Sequence, residues 1–157
     1  MSSCCAEGYV SAMYRNVLLA LHIASVAGWL GCNLTQLFLS RWFVRRGGDA
    51  AVAWFEATNR LARRYYNVVG VVLGVTGVLL VRNAGYAWSA GFVVVGIAVV
   101  AIGASLGVAF FAPDGERLAA TQIAGGRPRL ARYLVMVSVD TTLVMAAVLA
   151  MVAKWRA

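Results

Sequence analysis

A chain of 157 residues that is 62% hydrophobic and only 13% charged lies far outside the balance of a soluble globular domain, and it reads as a membrane protein. The formal net charge of +8 does not indicate nucleic acid, because the arginines stand between apolar stretches rather than on one face of a soluble module. Cys4 and Cys5 are adjacent in a short polar tail and Cys32 lies inside an apolar run; with no CxxC or CxxCH motif, zinc-ribbon and c-type haem attachment are excluded.

The first predicted element is a span over about 14–39. Only Arg15 precedes its apolar run and no small-residue cleavage site follows, so the segment reads as a retained span rather than a signal peptide. At about 100° per residue, His22, Ser25, Trp29, Asn33 and Gln36 fall within roughly 80° of arc, and Ser40 continues the stripe. Polar groups facing lipid are costly, so this stripe has to face other helices or an internal cavity.

The second span, about 65–81, is short for a bilayer crossing, but the preceding AAVAWFEATNRLARR has helical composition without Pro or Gly. One continuous helix is expected through both. A third span covers about 87–111 and a fourth about 133–153, with Pro113-Asp114-Gly115 expected to end the third. Gly47-Gly48 should open the first loop and Asn83-Ala84-Gly85 make a tight turn on the other side. The expected fold is all-α: one domain, 1–157, formed as an antiparallel four-transmembrane-helix bundle.

Arg41, Arg45, Arg46, Arg60, Arg63 and Arg64 in the 41–64 segment, with Arg117, Arg127, Arg129 and Arg132 in 113–132, stand against Arg15, Arg82, Lys154 and Arg156 on the opposite side. This bias places the two long segments in the cytoplasm and both termini outside, N-out and C-out. Trp42, Trp54, Tyr65 and Tyr66 on one side and Tyr86, Trp88 and Trp155 on the other form the expected interfacial belts. Gly70, Gly74 and Gly77, then Gly103 and Gly107, then Ala24, Gly28 and Cys32 offer small faces for close helix approach. Such a face packs the bundle internally or supports a homodimer or contact with another membrane subunit, in addition to the lipid bilayer.

Asp140 is the one carboxylate inside a span. With Asn33, Gln36, Asn67 and Ser105 it is expected to form a polar layer. It either accepts hydrogen bonds from Asn33, Asn67 or Thr141 and pairs with Arg63 or Arg64, or serves as a proton or cation site. His22 stands roughly 10 Å or more from Asp140 along the membrane normal, which argues against a His–Asp dyad. Imidazole with Met thioether suits copper, and imidazole alone holds haem iron from one side, so His22 with Met145 or Met151 is the candidate metal set. Ser25 is the candidate acceptor orienting His22. Trp29 lies too deep for an interfacial belt; it either packs, with its indole N–H on a backbone carbonyl or Asn33, or walls a flat ligand pocket.

The segment LLALHIASVAGWLGCNL resembles the opening helix of small bacterial integral membrane proteins that include copper-resistance-D-like proteins and the membrane-bound, haem-carrying protoporphyrinogen oxidase. RRGGDAAVAWFEATNRLARR, VVGVVLGVTGVLLV and AVLAMVAKW extend the resemblance to an uncharacterised family of four-helix members. The resemblance implies a bacterial cytoplasmic (inner) membrane location and assigns His22 to the family's haem-ligating histidine. There is no second histidine for bis-imidazole ligation and no intramembrane Lys or Arg matching the oxidase pattern. The functional expectation is therefore haem b or copper binding through His22 for redox or metal handling. The alternatives are a non-enzymatic membrane subunit or scaffold and, last, a minimal transporter, since small multidrug exporters carry a first-helix Glu and balanced loop charge that this chain lacks.

Overall fold

The computed structural model describes residues 2–126 and 130–154, with side chains from Ala12 onward. Arg127, Arg129, Trp155 and Arg156, as well as the side chains of Cys4 and Cys5, lie outside the described residues. Among the described residues there are six α-helices: α1 (Ser2–Arg46), α2 (Gly48–Leu61), α3 (Asn67–Ala84), α4 (Gly91–Leu106), α5 (Ala112–Ile123) and α6 (Leu130–Val152). Five-residue π-helical turns, Ala62–Tyr66 and Gly107–Phe111, weld α2 to α3 and α4 to α5. Four helical rods long and apolar enough to cross a bilayer result, with no strand among the described residues. The protein is a multi-pass, all-α four-helix membrane bundle.

The breaks between rods are short because glycine makes them. Gly47 (φ 66°) and Gly48 (φ 55°) reverse the chain where a loop was expected, and Gly85 (φ 70°) caps α3 in the left-handed region that side chains with a Cβ avoid. The Tyr86 N–H reaches back to the Val81 carbonyl at 3.2 Å, closing the helix end.

One expectation fails at Pro113. The helix does not stop there, because the π-turn before it has already lengthened the hydrogen-bond step: the Ala112 N–H bonds the Gly107 carbonyl five residues back. A wider turn gives the proline ring room beside the preceding backbone, and the chain continues as α5. The amphipathic α5 lies along α2, burying Leu118 against Phe55, which is 0% exposed, with Phe110, Tyr133 and Val137 closing the cluster. This arginine-rich end of the bundle is thus capped by protein. Within the spans a second cluster gathers Trp29, Val69, Leu73, Val99, Val144 and Ala147.

Helix α1 packs along α3 and α6, and α4 packs along α6, whereas α3 and α4 meet over far less of their length. The glycine faces do not bring backbones together as expected. A Cβ on Gly74 or Gly107 would meet nothing within 4 Å, while Gly103 receives the Trp29 indole: a Cβ there would lie 2.6 Å from Trp29 Cζ2. Gly28 similarly accommodates the Tyr65 hydroxyl, and Gly77 the edge of His22. Gly103→Leu should therefore destabilise the bundle by about 1–3 kcal/mol or more through overpacking. Gly74→Leu should stay within about 0.5 kcal/mol. Thermal unfolding in detergent reads the difference, and equal losses at the two sites would contradict the placement of Trp29.

Candidate functional site

The stripe on α1 faces the bundle centre, where Ser25, Trp29, Asn33, Gln36 and Ser40 are all buried. The deepest polar group opposite it is Asp140 on α6, 2% exposed. Trp29 Nε1–H and Asn33 Nδ2–H both donate to Asp140 Oδ2, at 2.9 and 2.7 Å. The Tyr66 hydroxyl donates to Asn33 Oδ1 at 2.7 Å and accepts from Gln36 Nε2 at 3.0 Å, and Gln36 Oε1 in turn accepts from the Tyr133 hydroxyl. Every donor in this series points toward the carboxylate, a polarity in which each bond strengthens the next.

Asp140 Oδ1 is different. It is buried and has no hydrogen-bond partner. A buried acceptor left unpaired costs about 1–3 kcal/mol, more when charged.

Asp140 lines a cleft of about 540 Å³ between α1, α3, α4 and α6, together with Trp29, Asn33, Tyr66, Gly70, Gly103 and Gly107 among others. Both π-turns contribute, Ala62, Arg63 and Tyr66 from one and Gly107, Val108 and Phe111 from the other. Its outer lining includes Val71 and Val108, 65% and 78% exposed on the membrane-facing surface, so the gap between α3 and α4 opens sideways toward lipid. Arg63, at the rim, is ion-paired with Glu116 across that gap.

The other residues anticipated for the layer do not join the network, although Asn67 lines the same cleft. Asn67 is exposed and bonds the Arg63 carbonyl, Ser105 bonds the Ala101 carbonyl, and Thr141 bonds the Val137 carbonyl, each turned back along its own helix. Neither Arg63 nor Arg64 reaches Asp140: Arg63 is held by Glu116 instead. The Trp29 indole N–H, expected on a backbone carbonyl or Asn33, is taken by the carboxylate.

Toward the opposite end, His22 is half-buried and its Nδ1 lies 3.0 Å from Thr76 Oγ1. The Thr76 hydroxyl donates to the Val72 carbonyl at 2.6 Å. In the tautomer that carries the proton on Nδ1 it also accepts from His22, and Nε2 is then a bare acceptor. Ser25, expected to orient His22, bonds the Leu21 carbonyl; a serine hydroxyl one turn along reaches its own helix more easily than a neighbouring ring. Met145 is 43% exposed on the outer surface, and the Met151 methyl rests over Gly96, a Cβ there lying 2.9 Å away. No group of three His, Cys, Asp or Glu side chains positioned for a metal occurs among the described residues.

Tyr66, Tyr133 and Thr76 were missed as site residues. Tyr133 stands seven residues before Asp140 and hence on the same helix face, and Thr76 is the one polar residue between Asn67 and Arg82, so both were marked in the sequence.

Comparison of the chain with protein-family models, with curated proteins and with solved structures finds no match.

Asp140→Leu strands the donors of Trp29 and Asn33, and it should lower stability by about 2 kcal/mol or more, against about 1 kcal/mol or less for Asp140→Asn, which retains an accepting oxygen. Unfolding in detergent, monitored by circular dichroism, checks the order; Asp140→Leu as stable as Asp140→Asn would remove the network from any structural account.

Proposed function

We propose that this protein is a membrane-embedded binding protein whose lipid-facing cleft takes a small amphipathic molecule from the bilayer, with the molecule's polar end directed at Asp140. One observation carries this reading: the carboxylate that lines the cleft, Asp140, keeps one buried oxygen without a partner. Ligand sites are concave and mostly apolar with a few convergent polar groups, and 540 Å³ is within the range of drug-sized ligands. An ionisable group within a membrane span marks a functional site by default. π-helical turns recur at functional sites, and here two of them border the same cleft. We further assign the arginine-rich end to the cytoplasm of a bacterial inner membrane, on the charge bias and the resemblance of the first helix.

The test uses protein in zwitterionic lipid nanodiscs with Trp42, Trp54, Trp88 and Trp155 replaced by Phe, leaving Trp29 as the sole indole. Bromododecanol should quench Trp29 saturably. Gly107→Leu, whose side chain enters open space in the cleft, should abolish the saturable component. Quenching that rises linearly and ignores Gly107→Leu would sink the reading.

A second reading attaches to His22. With the proton on Nδ1 and directed at Thr76 Oγ1, Nε2 is free in the form in which imidazole binds a metal. With Met145 turned outward and Met151 over Gly96, His22 would be the one donor from the described residues to hold haem b or copper, and a second copy of the chain would have to supply another. Protein expressed with haem precursor and copper should then show a Soret band or bound copper that His22→Ala removes and Thr76→Val weakens. Colourless, metal-free protein that binds neither on titration would leave His22 as a packing residue.

A further inference from the structure

The cleft says more about its occupant than size. Asp140 receives two hydrogen bonds on Oδ2 and none on Oδ1, and no cation of the protein lies within ion-pairing distance of it among the described residues. Arg63 at the rim is taken by Glu116, and the Asp114 carboxylate engages Arg117 and Arg132 at 3.7 and 3.8 Å. A hydroxyl offers Oδ1 a hydrogen-bond donor alone, whereas an ammonium head offers N–H donors and also balances the charge of the carboxylate when it is ionised.

The neighbours of Oδ1 select further. Trp29 and Tyr66, edge to face with centroids 5.9 Å apart, both line the cleft beside Asp140. An aromatic pair next to a carboxylate is the setting that attracts organic cations. Val71, Val100 and Val108 continue the cleft outward as a hydrocarbon wall that reaches the lipid between α3 and α4. Oδ1 sits at the seam between the Trp29 ring and Gly103, since a Cβ on Gly103 would lie 2.6 Å from Trp29 Cζ2 and 3.3 Å from Oδ1. Contact with a ligand therefore involves a shift of the indole, and Gly70, whose added Cβ would stand 3.9 Å from the ring, leaves space on the α3 side.

We infer that the ligand of this cleft is a lipophilic ammonium compound, its cationic head paired with Asp140 Oδ1 beside the Trp29 ring and its hydrocarbon tail lying in the α3–α4 gap. This rests on the cleft being a binding site and adds the charge of the head group and the lateral route.

The experiment extends the nanodisc assay to a series that differs only at the head: bromododecylammonium, bromododecanol and bromododecanoate. The ammonium compound should saturate at one per chain and bind at least about tenfold tighter than the alcohol, the scale of a hydrogen bond to a charged group, with the carboxylate weakest. Asp140→Asn should bring ammonium and alcohol to the same affinity, and Gly107→Leu should remove both. Equal affinity of ammonium and alcohol for the wild-type site, with saturable binding of both lost in Gly107→Leu, would overturn the ammonium assignment while leaving the cleft as a site. Loss of saturation for every head group would overturn the cleft itself. The head-group comparison uses the wild-type site, so it decides even where Asp140→Asn does not fold.

Discussion

In a hydrocarbon solvent a buried polar atom finds a partner inside the protein or goes without, and the arrangement of this bundle around Asp140 follows from that constraint. The carboxylate collects Trp29 and Asn33 directly and, through Asn33, Tyr66, Gln36 and Tyr133 in sequence. These side chains come from α1, the first π-turn and α6, so one acceptor fixes the rotation of three elements about their own axes. The apolar cluster of Leu73, Val99, Val144 and Ala147 fills the volume beside them, but apolar contacts between helices in lipid carry little orientational preference.

Trp29 ties that network to the cleft. Its indole N–H is held by Asp140 while its benzo ring rests against Gly103 of α4, with Gly70 of α3 beside it. A tryptophan wedged toward two glycines of adjacent helices keeps α3 and α4 from closing on each other, and the π-turns at the same end shift the helix register on both sides of the gap. The void is consequently a product of packing: the Trp29 ring fills the space beside Gly103, while a Cβ on Gly107 would meet nothing within 4 Å.

The sequence showed the general architecture because spans and glycine breaks are properties of single segments. Four long apolar runs gave four rods, and the polar stripe identified the inward face of α1 as it stands. What it hid depends on partners. Asn67 and Ser105 lie at suitable depth yet turn onto their own backbones, because depth along a helix says nothing about rotation about it. Glycine faces read as helix contacts, but a small residue equally well accommodates a ring, as Gly103 does for Trp29. The passage of the helix through Pro113 depended on a π-turn, a hydrogen-bond shift with no composition of its own.

The polarity of the network separates two roles that a buried carboxylate can serve. If the layer only held helices together, apolar side chains of similar volume would do so as well, since buried charged groups are seldom better than their hydrophobic replacements. The series from Tyr133 to Asp140 satisfies each of its members except one, and the exception is an oxygen of the carboxylate that lines the cleft. A network serving rigidity alone gains nothing from leaving its terminal acceptor unpaired. One serving recognition requires it, because the bond withheld inside the protein is the bond available to a ligand.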